Sequence, residues 1–164
     1  MSIRYEAERS DVAAAARAML ETGLVVNTSG NVSVRIGEHV AITPSNCPYE
    51  DLSPSDIVVL DLDGNSVEGD LIPSSETPLH LSLYKGDESI GAIVHTHSVY
   101  ATAVSTLVDT LPAIHYQIAD LGGPVPVAPY RTFGTPELAA VVSNAMKGRL
   151  AALMQNHGAV SYTH

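Results

Sequence analysis

Three histidines and one glutamate are the residues of this chain whose types and spacing could do chemistry. His95 and His97 stand two apart in Gly91-Ala92-Ile93-Val94-His95-Thr96-His97, an apolar run of the kind that forms a buried strand. Side chains alternate across a strand, so both rings fall on one face, close enough to share one ion. Imidazole nitrogen suits zinc, and a catalytic zinc ordinarily has three protein ligands and one open position. Two ligands are not enough. His157 follows a second apolar strand, Ala151 to Asn156, and could complete a three-histidine set, with Gly158 letting the backbone turn closely around the site. The alternative is one hydrogen-bonded core histidine beside one solvent-facing ring, with His157 a structural strand-end residue.

Glu76 lies in Pro73-Ser74-Ser75-Glu76-Thr77-Pro78, directly before a helix, where a carboxylate ordinarily serves as a first-turn charge or cap. Hydroxyl and N–H groups at such a helix start also make an anion site, which gives Ser74 and Ser75 a second reading. Asn27-Thr28-Ser29-Gly30-Asn31 and Ser45-Asn46 are further small polar loops of the same type, and most loops like these are turns.

The elements that must position these groups can be read from pattern. A helix from about Ser2 to Glu21 buries Val12, Ala16, Met19 and Leu20 and stops at Gly23. Val32 to Ile36, Val40 to Ile42, Ile57 to Asp61 and Ser66 to Asp70 read as strands joined by turns, Asp63-Gly64 among them. A helix starts at Thr77-Pro78 and runs to Gly86, another covers Val99 to about Val108, and a third opens at Thr135-Pro136-Glu137. Extended pieces surround Ile114 and Pro124 to Val127. The expectation is an α/β fold with a central, mainly antiparallel sheet flanked by helices in three layers, without the regular order or glycine-rich loop of a nucleotide fold.

Composition bounds the partners. At 164 residues the chain fits one domain over 1–164 and is long enough to bury a core. A formal charge of −10 disfavours nucleic acid, and no apolar run approaches the roughly 18 residues of a membrane span, so a cytoplasmic protein is expected. Cys47 stands alone, so any metal must be held by histidine and carboxylate.

Five motifs then occur in order: Gly30-Asn31-Val32-Ser33-Val34-Arg35, Ile42-Thr43-Pro44-Ser45 with Pro48-Tyr49-Glu50-Asp51-Leu52, Ser74-Ser75-Glu76, His95-Thr96-His97 and Gln155-Asn156-His157-Gly158. Together they resemble the zinc-dependent class II aldolase and adducin family. Pro112-Ala113-Ile114-His115-Tyr116, Gly122-Gly123 and Ala128 to Thr135 look like its fuculose-phosphate aldolase branch rather than its epimerase branch. The resemblance implies one zinc per subunit on His95, His97 and His157, with Glu76 as proton-transfer residue and sometimes fourth ligand. It implies Gly30, Asn31, Ser45, Asn46, Ser74 and Ser75 around a substrate phosphate, although relatives usually carry glycine where Asn46 stands. Tyr116 is implied to reach a neighbouring subunit's site in a homotetramer and handle the aldehyde-side proton. Relatives continue past the position of His164 into further helices, so this chain is expected to lack them.

The implied reaction cleaves a ketose 1-phosphate such as L-fuculose 1-phosphate to dihydroxyacetone phosphate and L-lactaldehyde, or joins them. Breaking the C3–C4 bond leaves negative charge that a metal can stabilise without a Schiff-base lysine, and Lys85 and Lys147 lie in no motif. The same scaffold also serves sugar-phosphate 4-epimerases, dehydratases and decarboxylases, and a non-enzymatic adducin-like module. Retention of all three histidines and Glu76 argues against the module.

Overall fold

The computed structural model describes residues 3–164. Helix α1 (Glu6–Glu21) buries Val12, Ala13, Ala16 and Met19, one stripe at helical spacing whose alanines allow close approach to the sheet. The first hairpin is β1 (Asn31–Ile36) and β2 (His39–Ile42), extended by β3 (Val58–Asp61) and β4 (Ser66–Glu68) into an antiparallel meander. Helix α2 (Thr77–Gly86) then leads to β5 (Ala92–Thr96), which returns to pair antiparallel with β1. Beyond α3 (Val99–Ser105) come β6 (Thr110–Leu111), a 3-10 turn at Tyr116–Leu121, β7 (Val125–Ala128), α4 (Pro136–Ala145), β8 (Ala151–Met154) and β9 (Gly158–Thr163).

Among the described residues nine strands lie in the order β4-β3-β2-β1-β5-β9-β8-β7-β6, with only β7 and β8 parallel. Alternation along β2 and β3 shows why both faces need a cover. Val40, Ile42, Val58 and Leu60 pack with α2 and α4, whereas Ala41 and Val59 pack with α1. Each Val, Leu or Ile so buried contributes about 1.5–3 kcal/mol. The result is three layers around a mainly antiparallel sheet, as expected from the sequence.

The start of α4 follows its sequence signal: the Thr135 hydroxyl accepts from the Leu138 N–H at 3.2 Å. Three features depart from the sequence reading. Gly158 to Thr163 is a central strand paired with both β5 and β8, Tyr116–Leu121 is a 3-10 turn, and Ile114 lies outside any strand. Among the described residues no helix is long and apolar enough to cross a membrane.

Candidate metal centre and substrate cleft

β5 carries His95 on its buried face opposite Asn31 of β1, and His97 follows the last residue of the strand. The connection from β8 to β9 brings in His157. Met154 pairs with Gly158, so the intervening three residues project the ring beside the end of β5. A Cβ on Gly158 would run into the Thr96 carbonyl and stand 3.2 Å from His95 Cε1, so only glycine lets the two strands close here. Glu76 enters from the start of α2 and is 4% exposed.

These four side chains meet. His95 Nε2 is 3.0 Å from His97 Nε2 and 2.8 Å from Glu76 Oε2, and His157 Nε2 is 3.6 Å from Glu76 Oε1. One donor atom from each lies within 4.8 Å of all the others. His95 Nδ1–H donates to the Ala159 carbonyl at 3.0 Å, which fixes the ring with Nε2 facing the cluster. Burial lowers the pKa of His97 to about 4, helped by repulsion from His95 and His157, and burial lowers that of His157 as well. Burial pushes the Glu76 carboxyl up, but hydrogen bonds and charge from His95, then His157 and the Asn31 amide, outweigh it and hold the group at about 2. These shifts favour a neutral imidazole at His97 and His157 and an ionised carboxylate at Glu76, the forms that bind metal. Glu76 Oε1 is buried with no hydrogen-bond partner, a costly state that a cation among the four groups would relieve. The donor set fits a divalent metal, and the four residues can hold one.

The centre opens into a cleft of about 370 Å³ lined by Gly30, Asn31, Ser45, Asn46, Ser74 and Ser75 as well as by Glu76, His97 and His157. All six expected substrate-loop residues are therefore brought to one place. Gly30, at φ +72°, has no room for a Cβ, which would run into Val25 and the His95 carbonyl. Asn46 adopts φ +55°, a left-handed conformation that asparagine tolerates better than most residues, so the loop keeps its shape without a glycine there. Ser74 Oγ accepts from the Glu76 N–H at 3.3 Å, and the Asn31 amide donates to Glu76 Oε2 at 3.1 Å.

Tyr116 is not in this cleft. Its ring is 81% exposed at the start of the 3-10 turn, beside His115. Conversely, Tyr130, Arg131 and Phe133 line the mouth without having been singled out as site residues. Their signal was a pair of aromatics in a polar, glycine-containing connection, where apolar side chains have little core to enter. Buried His80 was also overlooked, although it follows Glu76 by four residues and so shares its face of α2.

Residues 10–163 match the family described as Class II Aldolase and Adducin N-terminal domain. The chain belongs to this family. It is a class II aldolase chain and is 48% identical to the L-fuculose phosphate aldolase of Escherichia coli over 87% of its own length and 66% of the relative's. It is also 44% identical to the 5-deoxy-D-ribulose 1-phosphate aldolase of Bacillus thuringiensis, over 94% of this chain and 73% of that one. A solved L-fuculose 1-phosphate aldolase superposes with a TM-score of 0.94 at 41% identity, covering 99% of this chain and 77% of the other. The class II aldolase chain thus spans 66–77% of the length of these relatives.

Proposed function

We propose that the chain cleaves a deoxyketose 1-phosphate between C3 and C4, releasing dihydroxyacetone phosphate and a short aldehyde, and catalyses the reverse addition. The observation that carries this reading is one buried carboxylate, with an oxygen lacking any partner, held against three imidazole nitrogens on the floor of a cleft walled by small polar loops. His95, His97, His157 and Glu76 would hold one zinc ion, which when bound supplies Lewis-acid polarisation of the substrate's carbonyl and adjacent hydroxyl oxygens. Gly30, Asn31, Ser45, Asn46, Ser74 and Ser75 bind the phosphate through neutral donors, which lets an acidic chain take up an anion because distant surface charge is screened beyond about 8 Å.

Glu76 moves the proton. In cleavage it returns one to C3, and in synthesis it removes one from the hydroxymethyl carbon of dihydroxyacetone phosphate. Neither lysine lines the cleft, which leaves no candidate for a Schiff base there. Tyr116, exposed and away from its own cleft, would serve the aldehyde side of a neighbouring subunit's site in a homotetramer. L-fuculose 1-phosphate and 5-deoxyribulose 1-phosphate share the phosphorylated three-carbon half and differ in the aldehyde, L-lactaldehyde against acetaldehyde, so both are proposed substrates. The test is a coupled assay for dihydroxyacetone phosphate over paired phosphorylated and free ketoses with the zinc-loaded protein. Release from the phosphorylated sugars alone supports the reading. Equal turnover of free sugars would reduce the loops to turns, and an epimerised product without cleavage would move the chain to the epimerase branch.

A further inference from the structure

Behind Glu76 and Asn31 lies a polar row, His80, Ser33 and Tyr84, that neither belongs to the metal cluster nor lines the cleft. On β1, Asn31, Ser33 and Arg35 alternate onto the face that meets α2, and on α2 Glu76, His80 and Tyr84 recur every four residues. The two stripes interlock. Tyr84 Oη is 2.9 Å from Ser33 Oγ, Ser33 Oγ is 2.6 Å from His80 Nδ1, and His80 Nε2 is 2.6 Å from Asn31 Oδ1. Asn31 Nδ2 then reaches Glu76 Oε2 at 3.1 Å. Ser33 and His80 are fully buried, so no solvent can exchange partners with them.

The carboxylate end dictates the direction of every link. An ionised carboxylate only accepts, so the atom of Asn31 facing it must be the NH2 group, and the other side must be the carbonyl oxygen. That oxygen also only accepts, so His80 Nε2 must carry the proton. The neutral ring then offers a lone pair at Nδ1, Ser33 must donate to it, and Tyr84 must donate to Ser33. Burial keeps His80 neutral by lowering its pKa to about 3. Reversing the amide would place a carbonyl oxygen against the Glu76 carboxylate and an NH2 group against an N–H, two repulsive contacts in a dry interior.

We infer that His80 is a positioning residue: by donating from Nε2 to Asn31 Oδ1, it locks the Asn31 amide with its NH2 group on Glu76 Oε2 and so keeps the proton-transfer carboxylate aimed into the cleft. This rests on the aldolase reading for its kinetic consequence, and on the geometry alone for the orientation. His80 touches neither substrate nor metal. Its effect passes through Asn31, and through the choice of which carboxylate oxygen is held and which is left unpartnered.

The test compares zinc-loaded wild type with His80→Leu, which removes the donor, and His80→Gln, whose amide nitrogen can stand near the position of Nε2. Zinc content and melting temperature are recorded for each. His80→Leu is expected to lower kcat for ketose 1-phosphate cleavage about tenfold or more, the scale of outer-sphere partner losses, with little change in KM. His80→Gln should recover most of that loss. A purely structural role predicts a fall in melting temperature or zinc content with kcat per zinc unchanged, and that result overturns the inference, as does a folded, zinc-loaded His80→Gln no faster than His80→Leu. Nitrogen-15 spectra of histidine-labelled wild type give a readout independent of activity and of whether His80→Leu folds. A neutral His80 ring protonated at Nε2 supports the inference, and one protonated at Nδ1 refutes it. A wild-type chain that releases no dihydroxyacetone phosphate would refute the aldolase reading, while the ring's tautomer would still decide the orientation.

Discussion

Gly30→Ala should disturb the metal centre from a residue that is not a ligand. Gly30 has φ +72°, where an L side chain costs about 1–2 kcal/mol. The added Cβ would lie 2.5 Å from Val25 Cγ1 and 2.7 Å from the His95 carbonyl oxygen. Ordinary carbon contacts need about 3.5 Å, so Val25, which is buried, must retreat by about 1 Å. A carbon–oxygen contact needs about 3.3 Å, so the His95 backbone must shift by about 0.6 Å. That backbone is pinned by its pairing with Asn31 on one side and Val160 on the other. Overpacking of this kind costs about 1–3 kcal/mol, giving a total of about 2–5 kcal/mol. Gly37→Ala is the matched control, with φ +59° and nothing within 4 Å of the new methyl group, so it carries the backbone cost alone. Urea unfolding of both variants without metal, with zinc affinity from chelator competition, separates the two contributions. Gly30→Ala should be the less stable by about 1–3 kcal/mol and bind zinc more weakly, with Gly37→Ala unchanged in zinc affinity. Equal stability and equal zinc affinity in the two would refute the claim that Gly30 is required by its closeness to His95.

Other perturbations follow from the same geometry. His95→Ala or His97→Ala should lose bound metal and cleavage together, and elemental analysis showing tightly held zinc in either variant would remove that histidine from the ligand set. Glu76→Gln should keep the fold and the metal yet lose most solvent proton exchange at the hydroxymethyl carbon of dihydroxyacetone phosphate, and an unaffected exchange rate would deny Glu76 its role. Buried His80 has a folded-state pKa of about 3 against an ordinary 6.5, so the unfolded chain takes up the proton first. Its contribution is complete above about pH 6.5 and is lost as pH falls toward 3, at up to about 1.4 kcal/mol per pH unit. Comparing urea midpoints of wild type and His80→Gln between pH 6.5 and 4 should show a shallower acid loss in the variant, and parallel curves would contradict it.

The sequence made the ligands more legible than their supports. Spacing by two predicts one side for His95 and His97 without tertiary information, and the rings do meet although His97 lies just past the end of β5. His157 lies far along the chain, and only the β8–β9 hairpin and its pairing with β5 bring the ring into place. β9 was missed because Gly158-Ala-Val-Ser-Tyr-Thr is short and half polar, like a surface segment, whereas its position between two strands is decided by tertiary pairing. His80 was passed over for a related reason. Leu79, Leu81, Leu83 and Tyr84 supplied an apolar face for α2, and a lone histidine among them carries no signal until Ser33 and Asn31 are seen across from it. Asn46 is the reverse case: a position where glycine was expected and where the left-handed backbone is one that asparagine tolerates.

The central claim is that these four side chains bind one metal ion and that cleavage depends on it. Metal-free protein titrated with zinc, with dihydroxyacetone phosphate release from L-fuculose 1-phosphate or 5-deoxyribulose 1-phosphate followed at each addition, tests both parts at once. Release should be absent at the start, rise in proportion to zinc, and level off at one ion per chain. Undiminished release from the metal-free protein, or none from either sugar at any zinc ratio, would contradict the account.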